Sequence, residues 1–333
     1  DVTDVLQGHK QLAAASHDPV DTVTGPDIAD VRGQAHAKRA LEVAAVGGHN
    51  LLFVGPPGTG KSMLAERLPG ILPGQTNAEA LETAAVYSMS GAALPAWKAR
   101  PFRSPHHTAT AVALAGGCSP PRPGEITLAH HGVLFLDELP EFSRATLEVL
   151  REPMETGRIS IARARGTVVF PARFQLIAAM NPCPCGYLGD PVHECRCTPD
   201  QVQRYRQRIS GPFLDRIDIC VELAREAISL REDSTCEPAS QAVRDRIATA
   251  CRHRAARGNR PNATLTTQAI TTHCTPDKRG LELLETAAQK LALSHRACHR
   301  VLRVARSIAD LATSNSIRYE HVAEALSLRQ ALA

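Results

Sequence analysis

Residues Gly55, Pro56, Pro57, Gly58, Thr59, Gly60, Lys61 and Ser62 form the Gly-x4-Gly-Lys-Ser pattern that cradles phosphate groups. The pattern follows the apolar run Leu51 to Val54 and precedes the helical stretch Met63 to Leu68, so strand, loop and helix come in the order such a loop needs. Gly55, Gly58 and Gly60 let the backbone fold around an anion so that its amides and the helix N-terminus face it. Lys61 is expected at the β and γ phosphates of ATP, and the Ser62 hydroxyl on Mg2+. A second, acidic ligand is expected at another strand end. Val133 to Leu136 runs into Asp137 and Glu138, which assigns Asp137 to Mg2+ and Glu138 to the attacking water as general base or orienting group. A carboxylate pair alone is more often solvated, and a Gly-rich loop alone is weak; together and in this order they predict a nucleotide site. A third strand, Gln175 to Met180, ends in Asn181, which could orient the same water or, before Pro182, simply start a turn.

A second group of residues could hold a metal. Cys183-Pro184-Cys185 and Cys195-Arg196-Cys197 are two Cys-x-Cys pairs, with Gly186, Gly189 and Pro191 between them to let the chain double back. Four thiolates could enclose one Zn2+, structural because no coordination position stays open. The usual spacing is Cys-x2–4-Cys, so an inert loop stands as the alternative. His106 and His107 also invite a metal reading, but adjacent residues rarely aim at one ion and no neighbouring Cys or carboxylate pattern completes a site.

The elements that position these groups need a sizeable core, and the chain can supply one: 333 residues, 43% of them apolar, suggest about two domains. A net charge of +4 does not decide a partner, so any nucleic-acid surface must come from local clusters of Arg and Lys. With aromatics at 4%, phosphate contact is expected ahead of base stacking. No run approaches the roughly 18 apolar residues that span a bilayer, and no basic-then-apolar leader opens the chain, so a cytoplasmic protein without membrane contact is predicted. The ten cysteines then read as reduced thiols or metal ligands.

Further segments carry a family resemblance: Pro101 to Thr108, Pro123 to His130, Val133 to Phe142 and Ser210 to Asp218. With the loop, they make the chain resemble the magnesium-chelatase-like branch of the AAA+ superfamily, and within it the ComM-type proteins most closely, over nearly everything after residue 25. The resemblance implies an α/β fold: a P-loop AAA+ parallel-sheet domain with a smaller C-terminal all-helical lid, the nucleotide lying between them. It implies that Asn181 is the sensor 1 residue and that Arg216, in Leu214-x-Arg216-x-Asp218, is an arginine finger reaching a neighbouring subunit's γ-phosphate. A local pair with Asp215 or Asp218 is the alternative for Arg216. Arg296, in Ser294-His295-Arg296, corresponds to sensor 2 and should contact phosphate. The implied activity is ATP hydrolysis driving branch migration on DNA by a homohexamer in natural transformation or recombination. A chelatase motor subunit and a protein-remodelling ATPase are the alternatives.

The chain is expected to divide into a linker over 1–25, which the resemblance implies would follow a Lon-like N-terminal domain missing from this sequence, an ATPase domain over 26–224, a connector over 225–240 and the lid over 241–333. Two insertions interrupt the ATPase domain. Residues 157–171 alternate β-branched side chains around Arg163-Ala-Arg165-Gly166 and predict a β-hairpin. Its two guanidiniums could grip DNA phosphates in a ring pore or contact a neighbouring subunit. Residues 95–131, rich in Pro, Gly, Ser and His, show no periodicity and predict a functional loop, structural or facing DNA. Helices are expected over Ser143 to Met154, Gln241 to Arg257, Leu281 to Ala292, Ser294 to Thr313 and Arg318 to Leu328. In the fourth of these, Arg300, Arg303 and Arg306 are expected on a solvated or intersubunit face.

Overall fold

The computed structural model describes residues 26–117, 121–163, 166–226, 239–258 and 260–329. The 1–25 linker, most of the connector, Arg165 and the side chain of Arg163 lie outside the described residues.

The described residues contain nine strands: β1 Leu51–Val54, β2 Phe102–Arg103, β3 Gly116–Gly117, β4 Arg122–Pro123, β5 Val133–Leu136, β6 Arg158–Arg163, β7 Gly166–Pro171, β8 Gln175–Met180 and β9 Ile219–Glu222. Five of them form a parallel sheet in the order β2-β5-β8-β1-β9. The apolar runs of β1, β5 and β8 are buried along their whole length, as parallel strands covered on both faces require. The α/β expectation is met, with a helical C-terminal region added to the sheet. The hairpin forms where alternation predicts it: β6 and β7 pair antiparallel from Arg158↔Pro171 to Arg163↔Gly166, with Ile159, Ile161 and Phe170 buried and Val169 exposed.

Two local expectations fail for identifiable reasons. The helix over Ser143 to Met154 is two helices, Arg144–Val149 and Arg151–Thr156, which meet at Leu150. Pro153 has no N–H to give the Val149 carbonyl, so one helix cannot continue through it. The segment 95–131 is not an irregular loop. It contains the sheet-edge strand β2, the β3–β4 pair and the helices Ala111–Ala115 and Glu125–Leu128, all too short to impose periodicity on sequence.

The C-terminal helices Ser240–Ala255, Thr267–His273, Lys278–Lys290, His295–Leu311 and Tyr319–Ser327 pack beside the sheet-flanking helix Ala35–Gly47. Val301, Val304, Ala305 and Ile308 of the long helix share one buried core with Leu41, Ala44 and Ala45 of the sheet-flanking helix Ala35–Gly47. Polar ties follow the same route. His49 Nε2 lies 2.8 Å from Ser307 Oγ, Arg244 donates to the Gly70 carbonyl and the Cys220 amide donates to the Leu328 carbonyl. Burial of a Val or Ile side chain contributes ~1.5–3 kcal/mol against ~0–1 for a surface ion pair, so this apolar stripe decides the docking.

Arg300 and Arg306 also depart from the solvated face expected of them. Both are buried; Arg306 is 1% exposed and donates to Asp310 and to the carbonyls of Ser314 and Asn315. Asp310 is itself buried and is met by Arg257 at 2.6 Å and Asn262 at 2.9 Å. The charges are neutralised inside the core, which spacing along one helix cannot reveal.

Candidate nucleotide-binding site

The ends of β1, β5 and β8 bring the predicted groups together. Gly58 and Gly60 have φ of +78° and +85°, a left-handed backbone that an L side chain resists. Gly55 is needed for a different reason: a Cβ there would lie 2.5 Å from the Leu223 carbonyl. Between them Thr59 donates to the Pro56 carbonyl at 2.9 Å and closes the turn. Lys61 opens the helix Lys61–Ile71, and its ammonium donates to the carbonyls of Gly55 and Pro56 at 2.7 and 2.8 Å and to Asn181 Oδ1 at 3.2 Å. Burial pushes the Lys61 ammonium down to about 8, with the Asp137 charge opposing.

The Ser62 hydroxyl donates to Asp137 Oδ2 at 2.6 Å, so the two groups expected on Mg2+ already share one point in space. This pairing of a hydroxyl with a hard carboxylate oxygen beside an open cradle of amides suits Mg2+ carried by a triphosphate. The Glu138 amide donates to the other Asp137 oxygen at 2.8 Å, and Glu138 itself adopts φ +51°. The two adjacent carboxylates have different partners, Asp137 pairing with Ser62 and Glu138 with a histidine.

Sequence reasoning missed the partner of Glu138. His107 Nδ1 lies 2.9 Å from Glu138 Oε2, and the His106 ring stacks on His107 with centroids 4.1 Å apart. The carboxylate that completes a pair with His107 lies on a different strand end, so no local pattern could have disclosed it. Arg225, beyond β9, was missed as well. Its guanidinium donates to Asp190 at 3.1 Å and to the Pro57 carbonyl at 3.3 Å, tying the loop after Asn181 to the phosphate loop. Burial works against the Asp190 charge, but the amides of Val192 and His193 and the Arg225 guanidinium hold its carboxyl down at about 2.

Arg216 is not in this cluster. Its carbonyl accepts from Asn50 Nδ2 at 2.9 Å, which places it at the end where β1 begins, whereas the phosphate loop leaves the other end. Four residues of strand separate these ends by about 13 Å. The Arg216 guanidinium pairs with Glu155 at 2.6 Å and donates to the Pro212 carbonyl, and neither Asp215 nor Asp218 takes it. Arg296 is exposed in the first turn of the long C-terminal helix, one turn before Arg300, whose guanidinium lies 3.5 Å from Asp215 beside Arg216. Arg216 therefore stands toward the end of the sheet away from its own phosphate loop. The hairpin pairs Arg163 with Gly166. The four cysteines of the loop after Asn181 converge, with one candidate ligand atom from each within 4.8 Å of the others.

Among the described residues, no helix is long and apolar enough to cross a membrane. The family model described as magnesium chelatase, subunit ChlI, matches residues 27–230, and that of the ChlI C-terminal region matches residues 237–329. The chain is 48% identical over 316 residues to the uncharacterized protein YifB of Escherichia coli K12, covering 94% of this chain and 62% of that protein. It is 47% identical over 339 residues to the competence protein ComM of Haemophilus influenzae, covering 99% and 66%. The uncharacterized protein Rv2897c of Mycobacterium tuberculosis is 44% identical over 312 residues, covering 91% and 61%. The chain thus spans about three fifths to two thirds of the length of the curated relatives it matches.

Proposed function

The chain belongs to the magnesium chelatase subunit ChlI family, in its ComM-type branch, and from that premise we propose that it is the ATP-hydrolysing motor of a DNA branch-migration machine. The observation that carries the ATPase part is the convergence of Ser62, Asp137, Lys61 and Asn181 at neighbouring strand ends. Gly55 to Ser62 would hold the triphosphate, and Ser62 and Asp137 would hold its Mg2+, which neutralises the charge that develops on the phosphates. Glu138 orients the attacking water and Asn181 fixes its other side. The transition state is loose, so their contribution is chiefly positioning and electrostatics.

Arg216 serves the site of the adjacent subunit, because it stands at the sheet end opposite its own phosphate loop, and Arg296 contacts phosphate as the sensor 2 residue. Hydrolysis then requires an assembled ring, and we take a hexamer as its form. Arg163 and Arg165 grip DNA phosphates, a contact that carries force without reading sequence. A role in competence or recombination, in the cytoplasm, follows from kinship to a competence protein.

The test is the ATPase rate with and without a four-way DNA junction, with Glu138→Gln as the blank. Stimulation that falls with salt, and that is lost in Arg163→Ala/Arg165→Ala, is the expected result. Hydrolysis indifferent to DNA would turn the reading to a chelatase-like motor or a protein-remodelling ATPase built on the same site.

A further inference from the structure

Among the described cysteines, four are drawn into one cluster at the end of β8. The Sγ atoms of Cys183 and Cys185 lie 3.4 Å apart, those of Cys183 and Cys195 3.7 Å, and those of Cys185 and Cys195 3.6 Å. The Cys197 sulfur joins them within 4.8 Å, and all four are free thiols. A tetrahedral Zn2+ with Zn–S bonds of about 2.3 Å sets its sulfurs about 3.8 Å apart, which is the spacing the chain has built.

A second cluster, Glu82, His130 and His131, does not fit a metal in this way. His130 Nδ1 accepts from the Arg173 amide at 3.0 Å, so its Nε2 carries the proton and donates to Glu82 at 3.1 Å, leaving no lone pair for an ion.

We propose that Cys183, Cys185, Cys195 and Cys197 bind one structural Zn2+, and that the metal braces the nucleotide site. Four protein ligands close the coordination sphere, so the ion does no chemistry on substrate. Binding releases the thiol protons and closes the loop between the two pairs, an ordering step that the chain alone must otherwise supply. The braced loop reaches the phosphate loop at two points. Gly186, at φ +86°, lies so close that a Cβ would be 2.9 Å from Pro57 Cδ, and Asp190 reaches the Pro57 carbonyl through Arg225. Cys183 follows Asn181 by two residues, so the metal also fixes the strand end that offers Oδ1 to Lys61.

The metal assignment stands apart from the DNA reading, and only its bracing role rests on the ATP site. The experiment is metal analysis of the whole chain, followed by exchange for Co2+ and visible absorption spectroscopy. The expected result is about one zinc per chain, and for cobalt the intense bands and sulfur-to-metal charge transfer of a tetrahedral thiolate site. Cys195→Ser/Cys197→Ser should lose that spectrum and Cys298→Ser should keep it. Stripping zinc from the unmutated chain should weaken binding of a non-hydrolysable ATP analogue severalfold, restored by added Zn2+. A chain that takes up no stoichiometric zinc, or a cobalt spectrum indifferent to Cys195 and Cys197, would overturn the metal site. Unchanged analogue affinity after zinc removal would overturn the bracing role while leaving ATP binding itself intact.

Discussion

At the scale of single residues, the candidate site separates two carboxylates that are adjacent in sequence. Asp137 faces Ser62, while Glu138 turns to His107 through a left-handed backbone that costs a non-glycine residue about 1–3 kcal/mol. Such strain is retained where geometry matters more than stability. Lys61→Ala should therefore lose binding of an ATP analogue, whereas Glu138→Gln should keep it and lose turnover by about 10²–10⁴-fold. His107→Ala should keep analogue binding and lower kcat, because it acts on Glu138 and not on phosphate. Equilibrium binding beside single-turnover kinetics separates these outcomes. A pH dependence follows from Lys61, whose ammonium burial holds at about 8. Phosphate favours the charged form, so analogue affinity should be full below pH 8 and should fall as pH rises through it, with proton uptake on binding. Lys61→Arg, charged throughout, should remove that inflection in a titration from pH 6.5 to 9.5.

At the scale of elements, the long helix His295–Leu311 owes its place to one stripe. Ile308 is 1% exposed in the core shared with the helix Ala35–Gly47, so Ile308→Ala should destabilise the protein by ~2–5 kcal/mol in urea unfolding. A small change there would mean that the C-terminal helices fold independently of the sheet. The expected helix over Ser143 to Met154 was readable in its composition, and its break was readable in Pro153. Strand β2 was not readable at all, since two residues cannot show alternation; it exists because β5 offers it an edge.

At the scale of the whole molecule, the proposed division of labour between subunits rests on the two ends of the sheet. The phosphate loop lies at one end and Arg216 at the other, so on that proposal one chain supplies halves of two different sites. Arg216→Ala should slow hydrolysis by about 10³–10⁵-fold, the range of an arginine finger. Mixing Arg216→Ala with Lys61→Ala chains should restore part of it, since a mixed interface joins an intact loop to an intact arginine. Mixtures no faster than either variant alone would sink the division of labour.

The sequence by itself determined the phosphate loop, the strands β1, β5 and β8, the hairpin and the acidic pair, because each is a local pattern whose period or glycine spacing is its own signal. The tertiary structure alone decided that Ser62 meets Asp137 and that His107 meets Glu138. It alone buried Arg306 against Asp310, and packed the long C-terminal helix on the helix Ala35–Gly47. These are contacts between residues far apart in the chain, fixed by which apolar faces bury together, and no local spacing encodes them.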